Sequence, residues 1–371
     1  MTRSSGAMGR RALLIGGAAV VAGGAGAAWV GTRNMGSMGE YDASVAQLRS
    51  VLSAQPALTD LVRYATLAPN GHNTQPWRFR FSEGKIDILP DIARRTPVVD
   101  PDDHHLFVSL GGAAENLALA GAARGRPGEV IFTPGGLGGI AFAYGEAPPA
   151  SSALFDAIPV RQSTRADYDG RSVSVVDLNA LATAAQIPGV DVLLVTDRSK
   201  IDQVRDLVIQ GNTKQLEDAA FVRELKSWIR FNPLQAMSSG DGLFSVASGN
   251  PPLPTWLGST MFDATFKPKA ENDKYASQLN TSAGIAVFVG EREDRDHWTR
   301  VGRSSQRFAL QATALGLKCS YINQPVEVAG LRPELASLIG MAGRRPDLIM
   351  RFGYGPTLPY SARRPASLVS A

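Results

Sequence analysis

The sequence predicts an α+β fold that carries signs of an internal duplication. Three observations predict it. Short strand patterns of period two alternate with long amphipathic helix patterns along residues 41–354. Two stretches recur in the same order: 117–125 matches 308–316 at four of nine positions, and 61–71 parallels 178–189, each of the latter pair leading into a strand pattern. Finally, 371 residues, of which 44% are hydrophobic and 19% charged, suit one large domain or two fused units and exclude a disordered or collagen-like chain. Alanine-rich helices match one another readily, so the repeat alone leaves duplication and coincidence both open.

The elements follow in order. Arg10-Arg11 precedes residues 12–32, which are 21 residues without a charge. A twin-arginine pair before an apolar stretch is the arrangement of an export signal, and the stretch is also long enough to span a bilayer. Residues 1–33 are therefore expected to direct export or to anchor the chain. Arg3, Arg10, Arg11 and Arg33 carry the whole net charge of +4, so the rest of the chain is neutral and offers no electrostatic footprint for nucleic acid.

Residues 41–53 read as a helix with Asp42 at its N-cap and Val45, Leu48, Val51 and Leu52 on one face, and 58–68 as a second helix stopped by Pro69. Trp77, Phe79 and Phe81 alternate, Glu83-Gly84 turns, and Ile86 and Ile88 alternate again, which predicts a hairpin. A long helix over 102–124 follows, and Pro148-Pro149 with Ser151-Ser152 marks the boundary between residues 40–150 and 151–371. The second unit opens with a loop at 159–171. It continues with a helix at 177–185, a strand at 190–196 and helices at 199–210 and 215–230. Residues 232–269 are rich in Pro, Gly and Ser yet hold Phe244, Trp256, Met261, Phe262 and Phe266, so they are expected to form an irregular wrapping arm. A strand at 284–290, a helix at 295–315 and strands at 318–323 and 347–354 complete the chain.

Several chemistries are excluded. The sequence has no Gly-x-Ser-x-Gly elbow and no P-loop, and Gly136-Leu-Gly138-Gly139 runs into a strand pattern where a dinucleotide turn needs a helix. One cysteine, Cys319, rules out an internal disulfide. Asp102-Asp103-His104-His105 reads as a helix N-terminus rather than a metal site, because adjacent histidines diverge by about 100° on a helix. No metal ligand and no acid-base catalytic residue is nominated. Asn70, Asn73 and Gln75 place amides in one short loop with Pro69, Gly71 and Pro76, suited either to reading a heteroaromatic edge or to a plain turn. Arg161-Gln162-Ser163-Thr164-Arg165 is either a phosphate clamp or a solvated basic loop.

These residues carry a resemblance. Ala-Pro-Asn-Gly-His-Asn-Thr-Gln-Pro-Trp at 68–77 resembles the Ala-Pro-Ser-x-x-Asn-x-Gln-Pro-Trp motif of nitroreductase-family flavoproteins, with Asn70 in place of the family Ser. Residues 161–165, the Leu-Gly-Leu of 315–317 and the terminal Arg363-Arg364-Pro365 resemble that family's other motifs. The order is closest to the fused, Acg-like branch. The resemblance implies a nitroreductase-like fold in which two halves of one chain form a pseudo-dimer, each half a mixed or antiparallel sheet flanked by helices. It implies one FMN per chain, with Asn70, Gly71, His72, Asn73 and Gln75 supplied by half one. Half two would supply Arg161, Gln162, Ser163, Thr164, Arg165, Arg363 and Arg364 around the phosphate, and Asn323-Gln324 beside the flavin N5. The reciprocal site lacks both motifs. The implied function is an exported FMN-dependent oxidoreductase, periplasmic or anchored in the inner membrane, taking electrons from NAD(P)H or a quinol to a nitroaromatic or quinone acceptor. Its partners would be these small molecules, the export machinery and a membrane tether through 12–32. The alternative is a protein that stores or sequesters FMN under a closed arm.

Overall fold

The structure is a computed structural model that describes residues 34–370; the expected export segment, 1–33, lies outside them. Helix α1, Met38–Leu48, starts three residues before the predicted helix because Ser37 caps it in a capping box with Glu40, where the sequence predicts an N-cap at Asp42. The same shift ends it early, and Val51, placed on its apolar face, stands exposed. Helix α2, Leu58–Ala65, buries Leu61, Val62 and Tyr64.

The first sheet then forms from β1 (Trp77–Ser82), β2 (Lys85–Pro90), β3 (Gly128–Thr133) and β4 (Gly139–Tyr144), in the order β1-β2-β4-β3, every pair antiparallel. Helix α3, His104–Ala123, connects β2 to β3. After α4, Ala153–Ala157, the pattern starts again. Helix α5, Val175–Ala184, leads into β5, Val190–Val195. Where β1 turns directly into β2 at Glu83-Gly84, β5 instead leads into a long insertion. It contains α6 (Arg198–Glu217), α7 (Ala219–Ser227), β6 (Ile229–Arg230), α8 (Pro233–Ser239), β7 (Leu243–Phe244), α9 (Thr255–Thr265) and α10 (Pro268–Asn280). Then come β8 (Gly284–Gly290), α11 (Arg295–Ala314) and β9 (Lys318–Tyr321). Helices α12 (Gln324–Glu327) and α13 (Arg332–Leu338), strand β10 (Leu348–Gly353) and α14 (Ala366–Val369) follow. The second sheet, β5-β8-β10-β9, repeats the connectivity of the first and is also antiparallel throughout.

The sequence repeat and the structural repeat share one register. Helices α3 and α11 pack on each other. Gly111 lies so close to α11 that a Cβ there would sit 2.0 Å from the Thr299 carbonyl oxygen; one on Gly302 would sit 1.9 Å from that of Val108. Position 111 stands to 302 as 108 stands to 299, an offset of 191 residues, the same offset that aligns Leu117 with Phe308. A pseudo-dyad therefore passes between the helices, and only glycine permits the backbones to approach so closely. One core cluster, including Trp77, Phe79, Leu110, Phe142, Phe288, Phe308 and Phe352, runs through both sheets.

Two expectations are corrected. The predicted break near 211 is absent because α6 continues through Gly211, whose bare backbone lets Gln324 pack against it. The arm at 232–269 is mostly ordered into α8, β7 and α9, with Phe244 and Phe262 buried and Trp256 exposed.

Candidate functional site

The loop after α2 is built under strain. His72, Asn73 and Gln75 all adopt positive φ, 47°, 54° and 54°, a conformation that non-glycine residues hold only when their surroundings enforce it. The enforcing contacts come from distant segments. Asn73 Nδ2 donates to the carbonyls of Gly242 (2.9 Å) and Ala362 (3.0 Å), and its Oδ1 accepts from Arg363 at 2.6 Å. Gln75 Nε2 donates to Gly240 O at 2.8 Å, and its Oε1 accepts from Arg364 N. Arg94 spans Thr74 O and the Asp241 carboxylate, which also receives Arg230 at 2.7 Å. The Gly240-Asp241-Gly242 turn of the insertion is thus latched to the loop. Glycine is required at 242, where φ is 75° and a Cβ would lie 2.4 Å from Trp228 O.

Behind the loop lies an arginine pocket whose unfilled space, counted out to solvent, is about 500 Å³. Its wall includes Arg49, Arg161, Arg165 and Arg363 with Asn70, Asn73, Gln162 and Ser163, and no carboxylate. Ser163 pairs in parallel with Cys319, and Thr164 N–H donates to Cys319 O at 2.8 Å, which moors the arginine segment beside β9. Buried Arg351 holds the same segment through the carbonyls of Thr164 (3.0 Å) and Ala166 (2.8 Å). Among the described residues none of the four pocket arginines pairs with an acid. Burial pushes the pKa of Arg161 and Arg165 down. Burial and then the charge of Arg161 bring Arg49 to about 10, while burial followed by Arg49 and Arg161 lowers Arg363 well below its usual value. Arg161 and Arg363 are buried and Arg49 and Arg165 half-buried, and cations crowded in this way without an acid form a site that an anion stabilises. Their roles differ. Arg363 spends its guanidinium on Thr66 O, Ala68 O, Ala362 O and Asn73 Oδ1, whereas the Arg165 guanidinium has no hydrogen-bond partner among the described residues.

The pocket opens, past Asn70, Arg165 and Tyr321, into a cleft whose unfilled space, counted out to solvent, is about 1170 Å³. Gly71, His72, His105 and Gly112 line it from half one, and Asn323, Gln324 and Glu327 from half two. The insertion covers it with Phe221, Leu225, Leu243, Phe266 and Tyr275. Several buried polar atoms of these walls have no partner: His72 Nδ1, His105 Nε2, Gln324 Oε1 and, in the pocket, Arg161 Nε. Burial, followed by the charge of Arg165, lowers His72 to about 4, so its imidazole is neutral. A cleft of mixed apolar and polar lining, with orphaned polar atoms and a cationic end, accepts a flat heteroaromatic carrying an anion.

The structure sorts the sequence-predicted residues into three groups. Asn70, Gly71, His72, Arg161, Ser163, Arg165, Asn323 and Gln324 face the pocket or the cleft. Asn73, Gln162 and Arg363 reach the pocket wall but spend their polar atoms on the protein, Gln162 by holding both backbone groups of Leu358. Gln75, Thr164 and Arg364 line neither space. Gln75 latches the insertion, Thr164 bonds Gln162, and Arg364 turns to Leu368 O and toward Asp91. Arg49, Arg351, His105, Tyr275 and Glu327 were not singled out as site residues. His105 was weighed only as a metal ligand, and the others are isolated in sequence with no spacing to flag them. At the start of α3 the donor atoms of Asp100, His104 and His105 lie within 4.8 Å of one another. The Asp100 carboxylate accepts the N–H groups of His105 and Leu106, and His104 Nε2 bonds Asp347 at 2.9 Å, so both side chains are engaged.

The pseudo-dyad carries the cleft onto a second open space of about 910 Å³ counted out to solvent. At the 191-residue offset His105, Val108, Ser109 and Gly112 correspond to Asp296, Thr299, Arg300 and Arg303, and Tyr321 and Asn323 to Val130 and Phe132, all lining this second space. Arg303 stands where the first cleft has glycine, and both its arginines are neutralised, Arg300 by Asp296 and Arg303 by Glu115, each at 2.8 Å.

No protein-family model matches the chain. It is 28% identical over 317 residues to "Putative NAD(P)H nitroreductase Rv3131" of Mycobacterium tuberculosis, across 82% of this chain and 88% of that one. It is 22% identical to "Putative NAD(P)H nitroreductase acg" of the same organism, across 82% and 92%. Among solved structures, a nitroreductase with bound FMN from Bacteroides fragilis aligns at 15% identity, covering 58% of this chain and 96% of that one, with a TM-score of 0.37. The FMN-dependent nitroreductase NfnB of Mycobacterium smegmatis, in complex with NADPH, aligns at 14%, covering 55% and 87%, also at 0.37.

Proposed function

We propose that this chain, a relative of the mycobacterial proteins named as NAD(P)H nitroreductases, is an FMN-dependent oxidoreductase. It takes electrons from NAD(P)H or a quinol to a nitroaromatic, quinone or related acceptor in two successive half-reactions. The observation that carries the reading is the acid-free arginine pocket opening into a cleft of mixed apolar and polar lining, assembled by half one and half two together. Arg49, Arg161 and Arg165 would hold the phosphate, and Asn70, Gly71, Asn323 and Gln324 would flank the ring. Bound FMN would supply the two-electron chemistry, while the protein supplies orientation, electrostatics and exclusion of water. The insertion's aromatic cover keeps solvent from the reacting face, and neutral His72 presents an unpartnered nitrogen without adding charge. The twin-arginine leader supports an exported location, and an Arg10→Lys, Arg11→Lys double variant with unchanged distribution would remove that part.

The test is a purified chain with one flavin by absorbance, mixed in a stopped-flow instrument with NADH, NADPH and a reduced quinol. Rapid bleaching by at least one of them is expected. Two flavins per chain would contradict the neutralised second cavity. The latch of Asn73, Gln75 and Arg94 onto the 240–242 turn favours one other reading, FMN storage under a fixed cover. Reduction by dithionite alone, with no response to any of the three donors, would select storage.

A further inference from the structure

The carboxyl groups that line the cleft, Asp100, Glu271 and Glu327, have no role in holding an anion. Resting on the oxidoreductase reading, we propose that Glu327 is the proton donor of this cleft, protonating a quinone-class acceptor as it takes up electrons, and that His105 reloads it. Glu327 ends α12, the helix whose first residue is the cleft residue Gln324. Its Oε2 accepts from Gln215 Nε2 at 2.6 Å, and its Oε1 faces His105 Nδ1 at 4.0 Å. No Lys or Arg among the described residues pairs with it. Gln324, 6% exposed with Oε1 unpartnered, lines the same wall. The Glu327 side chain is 20% exposed, and a mostly covered carboxyl that faces a ligand cleft with no cation to hold its charge has the surroundings of a general acid rather than of an ion pair. Burial raises its pKa to about 7, with the Gln215 bond opposing and the charge of Asp100 adding.

The supply line runs inward. His105 Nε2 is buried without a partner, and its ring centroid lies 4.6 Å from that of His104, which bonds Asp347 at 2.9 Å. Asp102 and Arg345, paired at 2.7 Å, stand at the outer edge. Burial, His104 and Arg345 keep His105 neutral, and a neutral imidazole can accept a proton on one nitrogen and release one from the other. A side-chain rotation or one water closes the 4.0 Å gap. Other charged or titratable groups facing the pair are Glu271 and Tyr275 on α10, Arg165 across the cleft and Arg332 on α13. Reduction of a quinone to its hydroquinone consumes two electrons and two protons. Bound reduced FMN would supply a hydride, that is, both electrons and one of the protons. The Glu327 O–H bond breaks to give the other to the quinone oxygen, and the carboxylate recovers its proton through His105 from solvent.

Two measurements test this. In ligand-free protein Asp100 and Asp347 are also raised, to about 7 and about 6, so the neutral-acid carbonyl bands are read as a native-minus-variant infrared difference, in which Glu327→Gln should remove one band that titrates near neutral pH. In flavin-loaded protein reduced beforehand, Glu327→Gln should slow oxidation by benzoquinone by about a hundredfold or more and flatten its pH profile, the size of a lost general acid. Oxidation by ferricyanide, which takes an electron and no proton, should not follow it down. Glu327→Asp should recover part of the quinone rate. Should Glu327→Gln misfold, His105→Gln should keep the band and the single-turnover rate but lower steady-state quinone turnover. No band lost in Glu327→Gln, equal slowing with both acceptors, or unchanged quinone oxidation in Glu327→Gln would overturn the proposal. A native protein that reduces neither acceptor would instead overturn the oxidoreductase reading, and this proposal with it.

Discussion

Replacing Arg165 by alanine separates ligand recognition from folding more cleanly than any other change in the arginine pocket. The half-buried guanidinium shares its pocket with Arg49, Arg161 and Arg363 and has no acid or carbonyl partner among the described residues, so the ligand-free protein loses no internal hydrogen bond when it goes. Removing one of several crowded cations also relieves repulsion, and the thermal midpoint of ligand-free Arg165→Ala should hold or rise. Ligand binding should suffer. A charge-assisted bond to a phosphate is worth about 1.5–3 kcal/mol, which corresponds to roughly ten- to a hundredfold or more in affinity. The assay is titration of ligand-free protein with FMN and with riboflavin, followed by flavin fluorescence. FMN affinity should fall by that factor while riboflavin, which lacks the phosphate, barely changes. Equal losses for the two flavins, or none for FMN, would refute the phosphate assignment, and a lowered thermal midpoint would refute the view that Arg165 is free of structural duty.

Three further outcomes are expected. Asn73→Ala removes three buried hydrogen bonds that join the loop, the insertion and the tail, so it should lower unfolding free energy by about 2–4 kcal/mol in a denaturant melt. Gly302→Ala and Gly111→Ala drive a methyl into facing carbonyls at 1.9 and 2.0 Å, and each should destabilise by about 1–3 kcal/mol or more, by similar amounts because the contacts are related by the pseudo-dyad. Glu327 is raised from its ordinary 4.5 to about 7, so the folded state holds a proton that the unfolded state has lost between those values. Its contribution therefore falls as pH rises through that window. Glu327→Gln should match the native protein near pH 4 and exceed it in thermal stability above pH 7.

The fold was legible where periodicity and turn residues agreed. The hairpin of Trp77 to Ile88, helix α11 and strands β8 and β10 lie close to where alternation and helical spacing put them. Strand β3 was not anticipated, and the arm was read as irregular because Pro, Gly and Ser mark loops on average. Here Pro233 sits at a helix start, where its missing N–H costs nothing, and Gly240 ends the same helix. The site was legible as motifs but not as duties. Asn73 and Gln75 carry the most recognisable signature, yet their amides are consumed by backbone carbonyls from residues 165 to 289 positions away. No local pattern records such distant partners. Arg49 and Glu327 gave no signal for the same reason: each becomes part of the cleft only when far-separated segments close around it.

Joining two copies in one polypeptide removes a constraint that two identical subunits would obey. In a symmetric pair every substitution occurs twice, so a change that improves one cleft alters the other equally. Here Gly112 and its mate Arg303 hold opposite choices, one leaving room and the other filling it, and only one copy carries the residues between β5 and β8. Each copy is therefore free to accept mutations that would be ruinous in the other. The same tether fixes their ratio at one to one at any dilution, so the completeness of the cleft cannot depend on how much protein is present.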